Sequence, residues 1–161
     1  MTSKKIILAG SFGVGKTSLF NQFIFNKFDD KYLTTIGVKV NKKIVDIEGR
    51  QLSILLWDIA GEVAQDKVPV TYFLGASGVI YVFDLSRPST YKNIKHDVEY
   101  LNGILDGGVI KVVGNKKDLL TEEQISLIKE QLPIPLEMTT SAKTGENVEE
   151  LFNDIGKALL V

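Results

Sequence analysis

Short apolar runs alternate with amphipathic stretches along the whole chain. Residues 4–9, 38–47, 51–58, 78–85, 109–114 and 136–139 read as strands, and 78–85 is apolar almost without interruption, as in a strand covered on both faces. Residues 16–26, 90–105 and 147–160 have helical spacing. A further helix opens at the capping box Thr121-Glu122-Glu123-Gln124 and runs to about residue 132, where Pro133 stops it. The last helix gathers Val148, Leu151, Phe152, Ile155 and Leu159 on one stripe, an arrangement that docks on a sheet. Alternation of this kind predicts an α/β fold with a six-stranded, mostly parallel sheet and helices on both faces. Only Glu48-Gly49-Arg50 separates runs 38–47 and 51–58, so these form the one expected antiparallel hairpin, at the sheet edge. Residues 62–72 contain Pro69 and no clear period, and read as a mobile loop with a short helix.

The loops at the C-terminal ends of the strands carry the chemistry. Gly10-Ser11-Phe12-Gly13-Val14-Gly15-Lys16-Thr17 follows the first strand and matches the phosphate-binding pattern of Gly, four residues, Gly, Lys, then Ser or Thr. Its glycines let the backbone curl so that amide N–H groups face anionic oxygens, Lys16 adds a positive charge for the terminal phosphates, and Thr17 offers a hydroxyl to magnesium. The helix that follows from Ser18 adds the favourable end of its dipole. Asp58 ends the third strand in Trp57-Asp58-Ile59-Ala60-Gly61, where a carboxylate reaches the ligand crevice and can hold magnesium through water.

Asn115-Lys116-Lys117-Asp118 ends the fifth strand. A carboxylate such as Asp118 accepts from two adjacent donors, which guanine presents and adenine does not. Adenine would leave that carboxylate desolvated and unpaired, at a cost of about 1–3 kcal/mol or more. Lys116 can lay its stem along the base, and Asn115 can tie this loop to the phosphate loop. After the sixth strand, Ser141-Ala142-Lys143 can offer the Ala142 N–H to the guanine carbonyl, with Lys143 packed over the ring.

Composition narrows the partners. With 161 residues the chain suits one domain, 1–161, and a net charge of −1 with interspersed signs gives no footprint for nucleic acid. There is no cysteine, which excludes disulfides, zinc–thiolate sites and prenylation of this chain, and Thr2 excludes N-myristoylation. No apolar run is long enough to cross a bilayer and no leader is visible. A loop for nucleoside triphosphates needs the cytosolic pool, so the expected compartment is the cytoplasm, with peripheral membrane association only through a C-terminal tail missing from this chain, and the default state is a monomer. The lone His96 reads as a surface residue.

The four motifs in this order resemble the small GTPases of the Ras superfamily, over nearly the whole chain and without large insertions. Thr35-Ile36-Gly37, Trp57-Asp58, Tyr72-Phe73-Leu74-Gly75-Ala76 and Ser141-Ala142-Lys143-Thr144-Gly145-Glu146-Asn147-Val148 are most similar to the Rab branch. The resemblance implies a single P-loop G domain that binds GTP and GDP with Mg2+ and hydrolyses GTP. It implies nucleotide contacts from Phe12, Gly13, Val14, Gly15, Lys16, Thr17, Ser18, Tyr32, Asn115, Lys116, Asp118, Ser141, Ala142 and Lys143. Phe28 would stack against the guanine edge, Thr35 would join Thr17 and Asp58 at magnesium, and Gly61 would donate its N–H to the γ-phosphate. Residues 27–37 and 60–72 would be switch loops read by effectors, an exchange factor and an activating protein.

Three features depart from the family pattern. Glu62 takes the place of the glutamine that orients the attacking water, and an ionised carboxylate accepts from water but donates nothing to the phosphoryl oxygens. Slow hydrolysis is therefore expected, although a Glu62 whose pKa the phosphates raise could act as base or donor; Gln65 is a weaker internal substitute. Phe12 stands where the family uses a small residue, and its ring should crowd the path of a partner's arginine finger. The chain ends at Lys157-Ala158-Leu159-Leu160-Val161 without the family's prenylated tail, either because the tail is missing here or because this relative works in solution. A GTP-binding scaffold that does not hydrolyse is the alternative reading. A nucleoside or nucleotide kinase is disfavoured, because Arg50 and Arg87 are the only arginines and cannot furnish an arginine-rich lid.

Overall fold

The computed structural model describes residues 1–29, 37–62 and 65–161. Six strands form one sheet in the order β2-β3-β1-β4-β5-β6: β1 (Thr2–Ala9), β2 (Val38–Ile47), β3 (Arg50–Ile59), β4 (Ala76–Asp84), β5 (Val109–Asn115) and β6 (Met138–Thr139). All neighbours are parallel except β2 and β3, as the hairpin signal predicts. The hairpin turn is tighter than three residues, because Ile47 pairs directly with Arg50. Glu48 and Gly49 both take positive φ, 53° and 84°, the backbone of a two-residue type I′ turn.

Helices α1 (Lys16–Phe25) and α4 (Val148–Leu159) cover one face; α2 (Ile94–Ile104) and α3 (Glu122–Gln131) cover the other. Strand alternation divides the core between them. Ile6 and Leu8 of β1 pack with Leu19, Phe23 and Phe152, whereas Ile7 and Ala9 pack with Phe83, Ile94 and Leu101. The Phe23 and Phe152 rings stack with centroids 3.7 Å apart, joining α1 to α4. Val148, Leu151, Phe152 and Ile155 are buried as their stripe predicts, and His96 is exposed on α2. The capping box at Thr121 is present in full.

Two boundaries differ from expectation. A 3₁₀ turn, Pro88–Thr90, replaces the start of the helix expected from residue 90, and α2 begins at Ile94. The Thr90 hydroxyl accepts from the Asp84 N–H at 3.0 Å and donates to Arg87 O at 2.7 Å, so the segment is held to the end of β4 before it can coil. Strand β6 is two residues rather than four, although the Glu137 N–H before it already donates to Val112 O of β5 at 3.1 Å. The second irregular segment, 62–72, contains the 3₁₀ turns Gln65–Lys67 and Val70–Phe73, the latter opened by Pro69.

With β1 flanked by β3 and β4, the chain leaves β1 in one direction for the hairpin and in the other for β4–β6. That reversal creates a crevice at the C-terminal end of β1, where the phosphate-loop motif lies.

Candidate nucleotide site

The motifs converge on a cleft of ≈ 350 Å³. Its walls include Phe12, Gly13, Gly15, Lys16, Thr17 and Ser18 from the first loop and α1, Phe28, Gly61, Asn115, Lys116 and Asp118 after β5, and Ala142 and Lys143 after β6. Val14 and Ser141 lie behind this lining, with the Val14 side chain in the core. Tyr32 and Thr35 fall outside the described residues.

The loop is built for anions. Gly13 and Gly15 take φ of 76° and 101°, a left-handed backbone that curls the segment, and Gly15 caps α1 without a side-chain hydrogen bond. The first N–H groups of α1 thus face the cleft with no capping side chain from Gly15 in the way. Lys16 is buried and donates to Gly10 O at 3.1 Å and Ser11 O at 3.0 Å. Burial lowers its pKa to about 8, against the opposing pull of the Asp58 carboxylate. Phosphate oxygens would favour the charged ammonium and raise that pKa, so nucleotide binding should take up protons above about pH 8. At pH 8.5 the expected uptake is about half a proton or more, read as a difference in calorimetric binding heat between buffers of unlike ionisation enthalpy. Equal heats would contradict this account of Lys16.

Thr17 and Asp58 meet as expected: the Thr17 hydroxyl donates to Asp58 Oδ2 at 2.6 Å, and Asp58 is fully buried at the end of β3. A buried carboxylate beside a hydroxyl, both oxygen donors at the mouth of an anion-binding loop, fits a hard divalent cation such as magnesium. Gly61 lies flat on the phosphate loop. A Cβ there would come within 2.6 Å of Phe12 Cα, so a larger residue at 61 would push residues 60–62 off the loop. Glu62 is exposed immediately beyond.

Asn115 joins the two halves of the cleft. Its buried amide donates to Val14 O at 3.0 Å and accepts from the Thr140 hydroxyl at 3.0 Å and the Ala142 N–H at 3.2 Å. The tie to the phosphate loop is the one expected. The Ala142 N–H, expected to serve a base carbonyl, donates here to Asn115 Oδ1 and lies on the turn that borders the cleft. Asp118 is exposed to the cleft and accepts from the Ser141 hydroxyl at 2.8 Å, which orients its carboxylate. Lys116 takes a left-handed conformation (φ 66°) and reaches back to Gly13 O at 3.0 Å and Asp84 Oδ2 at 3.0 Å. Gln22 of α1 secures the Ala142 turn by donating to Ala142 O at 2.8 Å.

Gln65 is not available to the cleft. It is buried, its side chain donates to Glu62 O at 3.2 Å and its N–H to Asp97 Oδ1 at 3.4 Å, so this internal substitute for the missing glutamine is withdrawn. Asp97 in turn accepts from the Tyr81 hydroxyl at 2.7 Å, and burial raises the pKa of both groups. Sequence reasoning also missed Asp84 and Arg87. Asp84 is a buried acid ending an apolar strand, the same signal that singles out Asp58, and Arg87, three residues on, donates to the carbonyls of Phe12 and Gly13 in the phosphate loop.

A parallel sheet with a phosphate loop at its switch point, bridged to a second loop bearing an oriented carboxylate, defines a P-loop nucleotide-binding protein. The model of the Ras family matches residues 5–161. Similar curated proteins include the Ras-related protein SEC4 of Saccharomyces cerevisiae, 36% identical over 160 residues, covering 96% of this chain and 74% of that one. The Ras-related protein Rab-4 of Dictyostelium discoideum is 35% identical, covering 92% and 75%, and Rab-13 of Mesocricetus auratus is 32% identical, covering 98% and 80%. The chain belongs to the Ras family, on its Rab-related branch, and is a GTP-binding small GTPase of switch type. No helix among the described residues is long and apolar enough to cross a membrane.

Proposed function

We propose that this chain alternates between GTP and GDP, cleaves GTP slowly, and displays its state to effectors through residues 27–37 and 60–72. The observation that carries the reading is the Asn115 bridge, which holds the phosphate loop and the base loop on the two sides of one cleft. Asp118 reads the base through its guanine N1–H and amino donors, with Lys116 and Lys143 bordering it and Phe28 at the rim. Lys16 and the loop N–H groups hold the β- and γ-phosphates. Thr17 and Asp58, with Thr35, would hold magnesium, which when bound supplies positive charge to the phosphate oxygens. Gly61, close against Phe12 of the loop, would donate its N–H to the γ-phosphate.

Glu62 governs the rate. Its carboxylate can accept a proton-sharing bond from the attacking water but sets a negative charge beside the phosphates and gives them no donor. Single-turnover cleavage of preloaded GTP should be slow in the wild type and about tenfold faster or more in Glu62→Gln, a barrier change of about 1.4 kcal/mol. An unchanged rate in the variant would remove Glu62 as the cause. No cleavage with GTP still tightly held would favour the scaffold reading, to which the half-exposed Phe12 on the cleft wall also lends support.

A further inference from the structure

Arg87 lies on the outer side of the phosphate loop, away from the cleft lining. Its guanidinium donates through Nη1 to Gly13 O at 3.2 Å and through Nη2 to Phe12 O at 3.4 Å. Asp84 Oδ2 stands 3.7 Å from the same Nη1, and Asp84 Oδ1 is held by the Ser86 N–H and hydroxyl. The Arg87 backbone is fixed as well: its N–H donates to Asp84 O at 3.0 Å, and its carbonyl accepts from the Thr90 N–H and hydroxyl. This cation is therefore placed before any ligand arrives.

All peptide bonds among the described residues are trans, so each C=O points opposite to the N–H of the same plane. Anchoring Phe12 O turns the Gly13 N–H away from Arg87, and anchoring Gly13 O does the same for the Val14 N–H. Two neighbouring donors are thereby aimed inward, and a cation on each carbonyl polarises its peptide and strengthens the donor on the far side. We propose that Arg87 is a positioning residue that acts through the Phe12–Gly13 and Gly13–Val14 peptides to set the loop's grip on the phosphates beyond the first. The inference rests on the guanine-nucleotide reading above. Lys116 shares Gly13 O but also borders the base, so Arg87 is the member of the pair whose effect is confined to phosphate.

The test is competition binding of GDP and GMP to wild type, Arg87→Ala and Arg87→Lys, with ADP as the base control. Arg87→Ala should lose about tenfold in GDP affinity and less than about twofold for GMP, which has no β-phosphate. Arg87→Lys, able to hold one carbonyl but not both in a fork, should fall between. Equal losses for GDP and GMP, or an unchanged GDP affinity, would overturn the role of Arg87. If Arg87→Ala does not fold, a wild-type ratio of GDP to GMP affinity in Arg87→Lys overturns it equally. A wild type that fails to prefer GDP over ADP would instead overturn the guanine reading and this inference with it.

Discussion

Asp118→Asn is expected to lose guanine nucleotides and to gain xanthine nucleotides. Asp118 follows the left-handed Lys116 on a 3₁₀ turn at the end of β5, and its Oδ1 accepts from the Ser141 hydroxyl at 2.8 Å. An asparagine can keep that bond through its carbonyl oxygen, which fixes the amide nitrogen toward the base. There an N–H₂ group would meet the N1–H and amino donors of guanine, donor against donor. Loss of two hydrogen bonds to a charged group amounts to about 3–4 kcal/mol, or roughly two to three orders of magnitude in affinity. Xanthine carries a carbonyl where guanine carries the amino group, so the same amide finds an acceptor. Competition between GDP and xanthosine diphosphate for the variant reads the inversion directly. An unchanged preference for guanine would mean that Asp118 does not contact the base, and Ser141→Ala, which frees the carboxylate to rotate, should weaken GDP binding in the same direction but less.

The residues that line the cleft through sequence-local geometry are legible before the fold. The phosphate loop, Asp58 and the Asn115–Asp118 loop each follow a strand, and open parallel sheets gather their strand ends at one crevice. Asn115 was legible as a tie because an amide can donate to one loop and accept from another. What was not legible depends on pairings between residues distant in sequence. Arg87 meets Gly13 across 74 positions, a contact set by β4 lying next to β1 and by the Thr90 hydroxyl that turns the chain back. Gln65 reads as a candidate for the cleft because it follows Gly61, which lines it, by four residues. The Asp97 carboxylate on α2 draws it the other way, and nothing in the local pattern of residues 62–72 reveals that partner. The late start of α2 has the same origin, since the side chain that prevents coiling at residue 90 is bonded to a strand end.

Gly15→Ala should abolish measurable nucleotide binding while leaving the sheet intact. Gly15 takes φ of 101°, where an alanine is strained by about 1–3 kcal/mol, and a Cβ there would overlap Asn115 Nδ2. That nitrogen is not an idle neighbour: it donates to Val14 O at 3.0 Å, while Asn115 Oδ1 holds both the Thr140 hydroxyl and the Ala142 N–H. One added methyl therefore must displace either the curl of the phosphate loop or the residue that ties the base loop to it. In the first case the N–H groups of Lys16 and Thr17 lose their common aim; in the second, Asn115 leaves its three buried partners, Val14 O, the Thr140 hydroxyl and the Ala142 N–H, unsatisfied. Either route costs several kcal/mol of binding, about three orders of magnitude or more in GDP affinity. The loss of folding stability should be smaller, about 1–3 kcal/mol, because the methyl meets the cleft lining and neither hydrophobic core. Chemical denaturation and labelled-GDP binding on the same preparation separate the two effects. A variant that unfolds in proportion to its loss of binding would place Gly15 in the framework of the fold, whereas a folded variant that holds GDP at wild-type strength would show that the Asn115 bridge does not couple the loops. Asn115→Ala provides the reciprocal comparison. If the bridge is the shared cause, Gly15→Ala with Asn115→Ala should bind little worse than either change alone, since both remove the same connection.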